Sequence, residues 1–197
     1  FGIEGKKSMK VADALATAAN RTTADVSDFG LALKQGGSAA KLAGASFNDT
    51  IIALEALAEA GIKGSDAGTS LKQMFLSLTP TTKKATEEMQ ALGIITAEAG
   101  NRFYDAQGKT KSYREIAQIL SESLVGLSDE QKTASLQVIF GSDAYRAAAI
   151  AAKAGAEGVD KLFDAMSKTS AIDQANIRLD NFSGSLDKLG SEWERFN

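Results

Sequence analysis

Gly64-Ser65-Asp66-Ala67-Gly68-Thr69-Ser70 places two glycines and a run of hydroxyls at a spacing close to that of a loop whose backbone amides cradle phosphate. The lysine that precedes the hydroxyl residue in such loops is missing, and helical rather than strand patterning leads into it, so a helix start accounts for it better. Gly61-Ile62-Lys63-Gly64 has the GXXG spacing that clamps a nucleic-acid backbone between two helices, but that fold also needs a sheet, and nothing around this turn reads as strands. Gly141-Ser142-Asp143 sets a hydroxyl beside a carboxylate, yet the chain has no histidine to activate it. Asp105 to Lys109 offers too few oxygens at alternate positions for a calcium loop. Glu87-Glu88 and the Glu192/Glu194 pair have the residue type for glycoside hydrolysis, but on alanine-rich amphipathic helices such charges form a solvated face. The chain therefore reads as a non-enzyme with no catalytic, cofactor or metal residues.

Composition points the same way. Neither cysteine nor histidine occurs, which removes thiolate chemistry and the usual zinc ligands. The net charge is −3, the two signs are interspersed, and the basic pairs Lys6-Lys7 and Lys83-Lys84 are short. Such a surface has no stripe for sequence-specific nucleic-acid binding. The most apolar tract, Ala147 to Ala156, is broken by Lys153 and falls far short of the roughly 20 residues that span a bilayer, so no membrane contact is expected from it.

The elements that would position these residues are helices. Alanine occurs 34 times and proline once, a bias that favours helix throughout. The spacing predicts a helix over about 7–20, with Val11, Ala14, Leu15, Ala18 and Ala19 on one face. A second starts near Thr23, carries Val26, Phe29 and Leu33 inward, and is interrupted at Gln35-Gly36-Gly37-Ser38. Ser46 with Asp49 caps the next. Leu54, Leu57 and Ala58 before Gly61, and Ala67, Leu71, Met74, Phe75 and Leu78 after Ser65, describe a helix hairpin. Gly61 closes its first arm, and Ser65 or Asp66 caps its second. Gly68 lies inside the second arm, where it costs roughly 1 kcal/mol relative to alanine. Gly61, Gly64 and Gly68 are accordingly read as packing residues, with Gly68 facing a partner helix and Gly68→Leu destabilising the fold.

Thr79-Pro80 ends that arm and starts a helix closing at Leu92-Gly93. Residues about 102–111 read as a small β-hairpin turning at Asp105 and Gly108. Ser112 with Glu115 and Ser128 with Gln131 cap two more helices, which carry Ile116, Leu120 and Leu124, then Leu136, Ile139 and Phe140. Gly141 separates the latter from a helix over 142–154, and Gly155 and Gly158 precede a short one with Val159, Leu162, Phe163 and Met166. Finally Ile172, Ala175, Leu179, Phe182, Leu186, Leu189, Trp193 and Phe196 alternate by three and four, the stripe of a long helix over about 171–196. Its flanks Asn176, Ser183, Ser185 and Gly190 are poor interhelical ion-pair partners, which leaves open whether the stripe packs within its own chain or between chains. The expected fold is mainly α: a compact multi-helix core over 1–168 and a long amphipathic helix over 169–197.

Five blocks in order resemble the core region of phage tail tape measure proteins of the TP901 type. They are VADALATAANRTTADVSDFGLAL (Val11 to Leu33), ALAEAGIKGSDAGTSLKQM (Ala56 to Met74), FYDAQGKTKSYREI (Phe103 to Ile116), VIFGSDAYRAAAI (Val138 to Ile150) and LDNFSGSLDKLGSEW (Leu179 to Trp193). The resemblance covers nearly the whole chain, which enters partway through that core at Phe1-Gly2 and so reads as a piece of a larger protein. It implies a structural role: a protein that sets tail length during assembly, occupies the tail lumen in the virion, and is assembled in the bacterial host cytoplasm. It implies contacts with other tail proteins (tube, initiator or baseplate, assembly chaperone) and self-association of the full-length protein. A bacterial helical or coiled-coil interaction module and a cell-wall hydrolase-associated domain are the competing readings.

Overall fold

The computed structural model describes residues 8–167. Among them are seven helices and one two-stranded antiparallel sheet: α1 (Ser8–Arg21), α2 (Val26–Leu42), α3 (Phe47–Glu59), α4 (Gly64–Leu76), α5 (Lys83–Ala91), β1 (Ile95–Thr96), β2 (Gly100–Asn101), α6 (Tyr113–Ser123) and α7 (Asp129–Ser167). The mainly α fold class read from the sequence is the one observed. The long terminal helix expected over 171–196, with its whole stripe, lies outside the described residues.

The core is built around α3, in which every residue from Thr50 to Ala58 is buried. A helix apolar on all sides has no solvent face and must be surrounded. Helices α1, α2, α4, α6 and α7 all pack on it. It begins at Ser46, whose Oγ accepts from the Asp49 amide, and ends at Gly61 (φ +85), where the Ile62 amide reaches back to the Leu57 carbonyl and the Gly61 amide to that of Ala58. These are the bonds of a left-handed helix stop, for which glycine has no Cβ penalty.

The second helix departs from the sequence expectation. It is capped by Asp25, in a reciprocal box with Asp28, rather than starting at Thr23, and it runs without a break through Gly36 and Gly37 to Leu42. Two interior glycines cost about 2 kcal/mol against alanine. For Gly36 the reason is α4: a Cβ there would lie 2.5 Å from the Gly68 carbonyl oxygen, and one on Gly68 would lie 2.9 Å from the Ala32 Cα. The two helices cross backbone to backbone, with Ala32 and Gly36 meeting Gly68. Val26, expected inward, is 49% exposed because it opens the first turn beyond this crossing.

Other helix starts differ locally. Helix α4 begins at Gly64 (φ +58) behind Lys63, which makes no side-chain cap, so neither Ser65 nor Asp66 performs that role. Helix α5 is capped by Thr82, not Thr79; Pro80 precedes the cap. Regular strand pairing falls at Ile95↔Asn101 and Thr96↔Gly100, just ahead of the hairpin expected over 102–111. In that segment the chain does reverse at Asp105 and Gly108, but a single bridge, Tyr104↔Thr110, joins the two sides. Asn101 explains the shift, because its side chain donates to the Leu78 carbonyl and accepts from the Phe103 amide, ending the ladder.

Both capping boxes form as read, at Ser112/Glu115 and Ser128/Gln131. Helix α7 is three rods: Gly141 (φ 75, ψ 177) and Gly155 (φ 57, ψ −167) leave the helical region and turn the chain. Phe163, expected on the inner face of the last rod, is 46% exposed, while Val159 and Leu162 are buried.

Candidate functional site

Among the described residues, most of the groups that could do chemistry by their spacing make contacts that hold the fold. Gly64 to Ser70 is the first half of α4 rather than a loop. Gly68 is pressed on α2, Ser70 is buried, and Asp66 accepts from Arg146 of α7 at 2.9 Å. Gly61 to Gly64 joins α3 to α4; Lys63 donates from Nζ to the Thr23 carbonyl at 3.0 Å, and a Cβ on Gly64 would sit 3.2 Å from an Asp28 carboxylate oxygen. The turn is thus fastened to the α1–α2 connection by Lys63, while Gly64 lets it lie close to Asp28 of α2.

Ser142 donates to the Asp143 carboxylate at 3.4 Å beside the Gly141 break, with neither residue buried. One Asp105 oxygen accepts the amides of Gln107 and Lys109 at 2.9 and 2.8 Å, so its carboxylate organises a turn. Glu87 pairs with Lys83, whereas Glu88 accepts from Ser135 at 2.5 Å and ties α5 to α7; the two carboxylates do not face one space. Glu192 and Glu194 lie outside the described residues. Among the described residues no three or more histidines, cysteines or carboxylates gather in a group that could hold a metal ion.

The residue that sequence reading passes over is Glu55. It is 0% exposed on the all-buried helix α3, and its Oε1 accepts from the Arg21 Nε of α1 at 2.6 Å while Oε2 has no hydrogen-bond partner. Burial pushes its carboxyl above the ordinary value of 4.5, the bond and charge of Arg21 pull it back, and Glu59 adds to the upward push. The available signal was one carboxylate inside the apolar run IIALEALA. Burying one ion of such a pair without the other is strongly destabilising, so the pair ties α1 to the core. Burial likewise pushes the Tyr113 phenol upward.

Two clefts flank α7. One, of about 510 Å³, opens between the end of α6 and the first two rods of α7, with Leu124, Val125, Leu136 and Tyr145 on its walls and Lys132 at its edge. The other, of about 580 Å³, is a groove between the end of α3 and the second and third rods. Ala56, Ile150, Ala154 and Leu162 supply its apolar lining, with Ala60, Lys153 and Lys161 along the edge. Lys153 borders both clefts and makes no ion pair among the described residues. Helices α6 and α7 are otherwise fastened by Arg114, which donates to both Asp160 oxygens at 2.6 and 2.8 Å. The first cleft is also lined by Ser121, Asp129 and Thr133, and the second by Arg21 and Glu59.

Comparison with known proteins gives a consistent picture. The model of a family described as phage-related minor tail protein matches residues 1–141. The tape measure protein of Pneumococcus phage Dp-1 is 32% identical over 196 residues, which is 98% of this chain and 16% of that protein. The probable tape measure protein of Escherichia phage P2 is 30% identical over 199 residues, 98% of this chain and 24% of that protein. The chain thus spans about a quarter or less of the length of these curated relatives. No solved structure matches it significantly.

Proposed function

Since the chain belongs to the phage-related minor tail protein family, we propose that it is a folded segment of a tail tape measure protein and acts structurally, without catalysis. The observation that carries this reading is alignment across 98% of the chain with two tape measure proteins at 32% and 30% identity. The whole protein would set tail length and lie in the tail lumen of the virion after assembly in the bacterial host cytoplasm. Its partners would be the tube, the initiator or baseplate and an assembly chaperone, with self-association of the full-length chain.

Within that role this segment is not the ruler. A helix rises about 1.5 Å per residue, so length is encoded only where the chain keeps one direction. Here Gly61, Gly93, Gly126, Gly141 and Gly155 all take positive φ at or between helix ends, and the chain folds back around α3. The segment instead offers surfaces, and it acts as a docking body for other tail components. The test is deletion of residues 8–167 from the full-length protein in the phage, followed by electron microscopy of tails. Loss of normal tails is expected; intact tails shortened in proportion, by about 240 Å at the helical rise, would contradict the proposal.

A further inference from the structure

We propose that α1 is a releasable strap: it lifts off α3 as a unit while the other described helices stay packed, and the Arg21–Glu55 pair sets how readily it does so. Over residues 11–21 the side chains of α1 that are wholly buried are the small ones of Thr17 and Ala18; Leu15 and Ala19 pack only partly against the core, and Val11 is half-buried. In α3, by contrast, every residue from Thr50 to Ala58 is buried. A helix of 14 residues is marginal alone in water, so α1 depends on this small docked face. Elements held by little apolar burial are the ones that open below global unfolding.

The pair beneath the strap lowers the cost of opening. Glu55 is wholly buried while the Arg21 side chain is 28% exposed, so the arginine and the helix that carries it stand between the carboxylate and water. Oε1 is bonded to Arg21, but Oε2 has no hydrogen-bond partner. A buried carboxylate so incompletely matched keeps a desolvation cost, which hydration removes when α1 lifts. Water has a way in, since the groove between α3 and α7 reaches Arg21, Ala56 and Glu59. The α1–α2 connection supplies the hinge: Lys63 holds the Thr23 carbonyl and Asp25 caps α2, which confines the movement to the chain ahead of them. Opening uncovers the face of α3 that carries Glu55, on which helical spacing places Ile51, Ile52 and Ala58. A carboxylate set among apolar side chains is a surface that the closed chain does not present.

The chain has no cysteine, so a single engineered thiol reports the opening. Ala18→Cys places one on the inner face of α1, and Ala53→Cys one on the side of α3 turned away from Glu55; both alanines are 0% exposed. In the full chain a maleimide is expected to label Ala18→Cys roughly tenfold faster than Ala53→Cys, because the first needs only the strap to lift. Ile116→Val, in the buried face of α6, should then speed Ala53→Cys about fivefold and leave Ala18→Cys unchanged, since it weakens the closed and the strap-open forms alike. Arg21→Ala should speed Ala18→Cys roughly tenfold, because it leaves Glu55 buried without its partner until α1 lifts. Equal labelling rates, an Ile116→Val effect that is the same at both thiols, or an Ala18→Cys rate indifferent to Arg21→Ala would overturn the proposal. Where a thiol loosens the packing, hydrogen exchange of the unsubstituted chain keeps the test: the amides of 8–21 should exchange well ahead of those of 50–58, and exchange of the two together would contradict a strap.

Discussion

Three mid-helix glycines separate what backbone freedom costs from what close packing returns. Gly30 sits inside α2 with nothing within 4 Å of where its Cβ would be, whereas Gly36 and Gly68 have no room for one. Gly30→Ala is therefore expected to stabilise the fold by roughly 1 kcal/mol. Gly68→Ala gains the same helix propensity but drives a methyl into the α2 backbone, for a net loss of about 2 kcal/mol, and Gly68→Leu loses more. Chemical denaturation of the three variants reads both signs. Glu55 makes a second prediction at this scale. Because its folded-state carboxyl is raised above 4.5, its contribution is fully present below that pH and is lost as pH rises through the folded value. Wild type measured against Glu55→Gln should thus lose relative stability from about pH 4 upward. The Glu115 carboxyl is lowered by its bond to Ser112, and that of Glu122 by Gln118 and Arg102; their contributions have the opposite sign, present above 4.5 and lost on acidification.

Several helix ends set by one local bond were legible in the sequence, although the equally local caps at Asp25 and Thr82 lie two or three residues beyond the starts read there. Ser112 with Glu115, Ser128 with Gln131, and the stops at Gly61, Gly93, Gly141 and Gly155 each depend on residues within a turn of one another. The uninterrupted α2 differs from the expected break at Gly36-Gly37 for the complementary reason: in isolation a glycine pair breaks a helix, and the backbone that accounts for Gly36 belongs to Gly68 in another element. Over 102–111 the chain reverses as read but pairs only at Tyr104↔Thr110, and the regular ladder just ahead of it ends at Asn101, whose bond to the Leu78 carbonyl is equally nonlocal. The clefts were not legible at all, since each is lined from two or three elements that only the tertiary fold assembles. At this scale Ser112→Ala should cost about 1 kcal/mol by removing one half of the α6 cap. Gly155→Ala, with φ +57, should cost about 1–2 kcal/mol in thermal unfolding while leaving the helix content of α7 nearly unchanged.

At the scale of the molecule, the chain folds back through its glycine stops and capped turns around the buried helix α3. A protein family whose proposed task is to measure length therefore contains a segment that gives length up in exchange for surfaces. Small-angle scattering of the 197-residue chain tests this most directly. The folded-back chain should have a radius of gyration of about 16 Å, as expected for a compact protein of its size. A rod-like profile approaching the roughly 300 Å of an uninterrupted helix would contradict it and return this segment to the ruler.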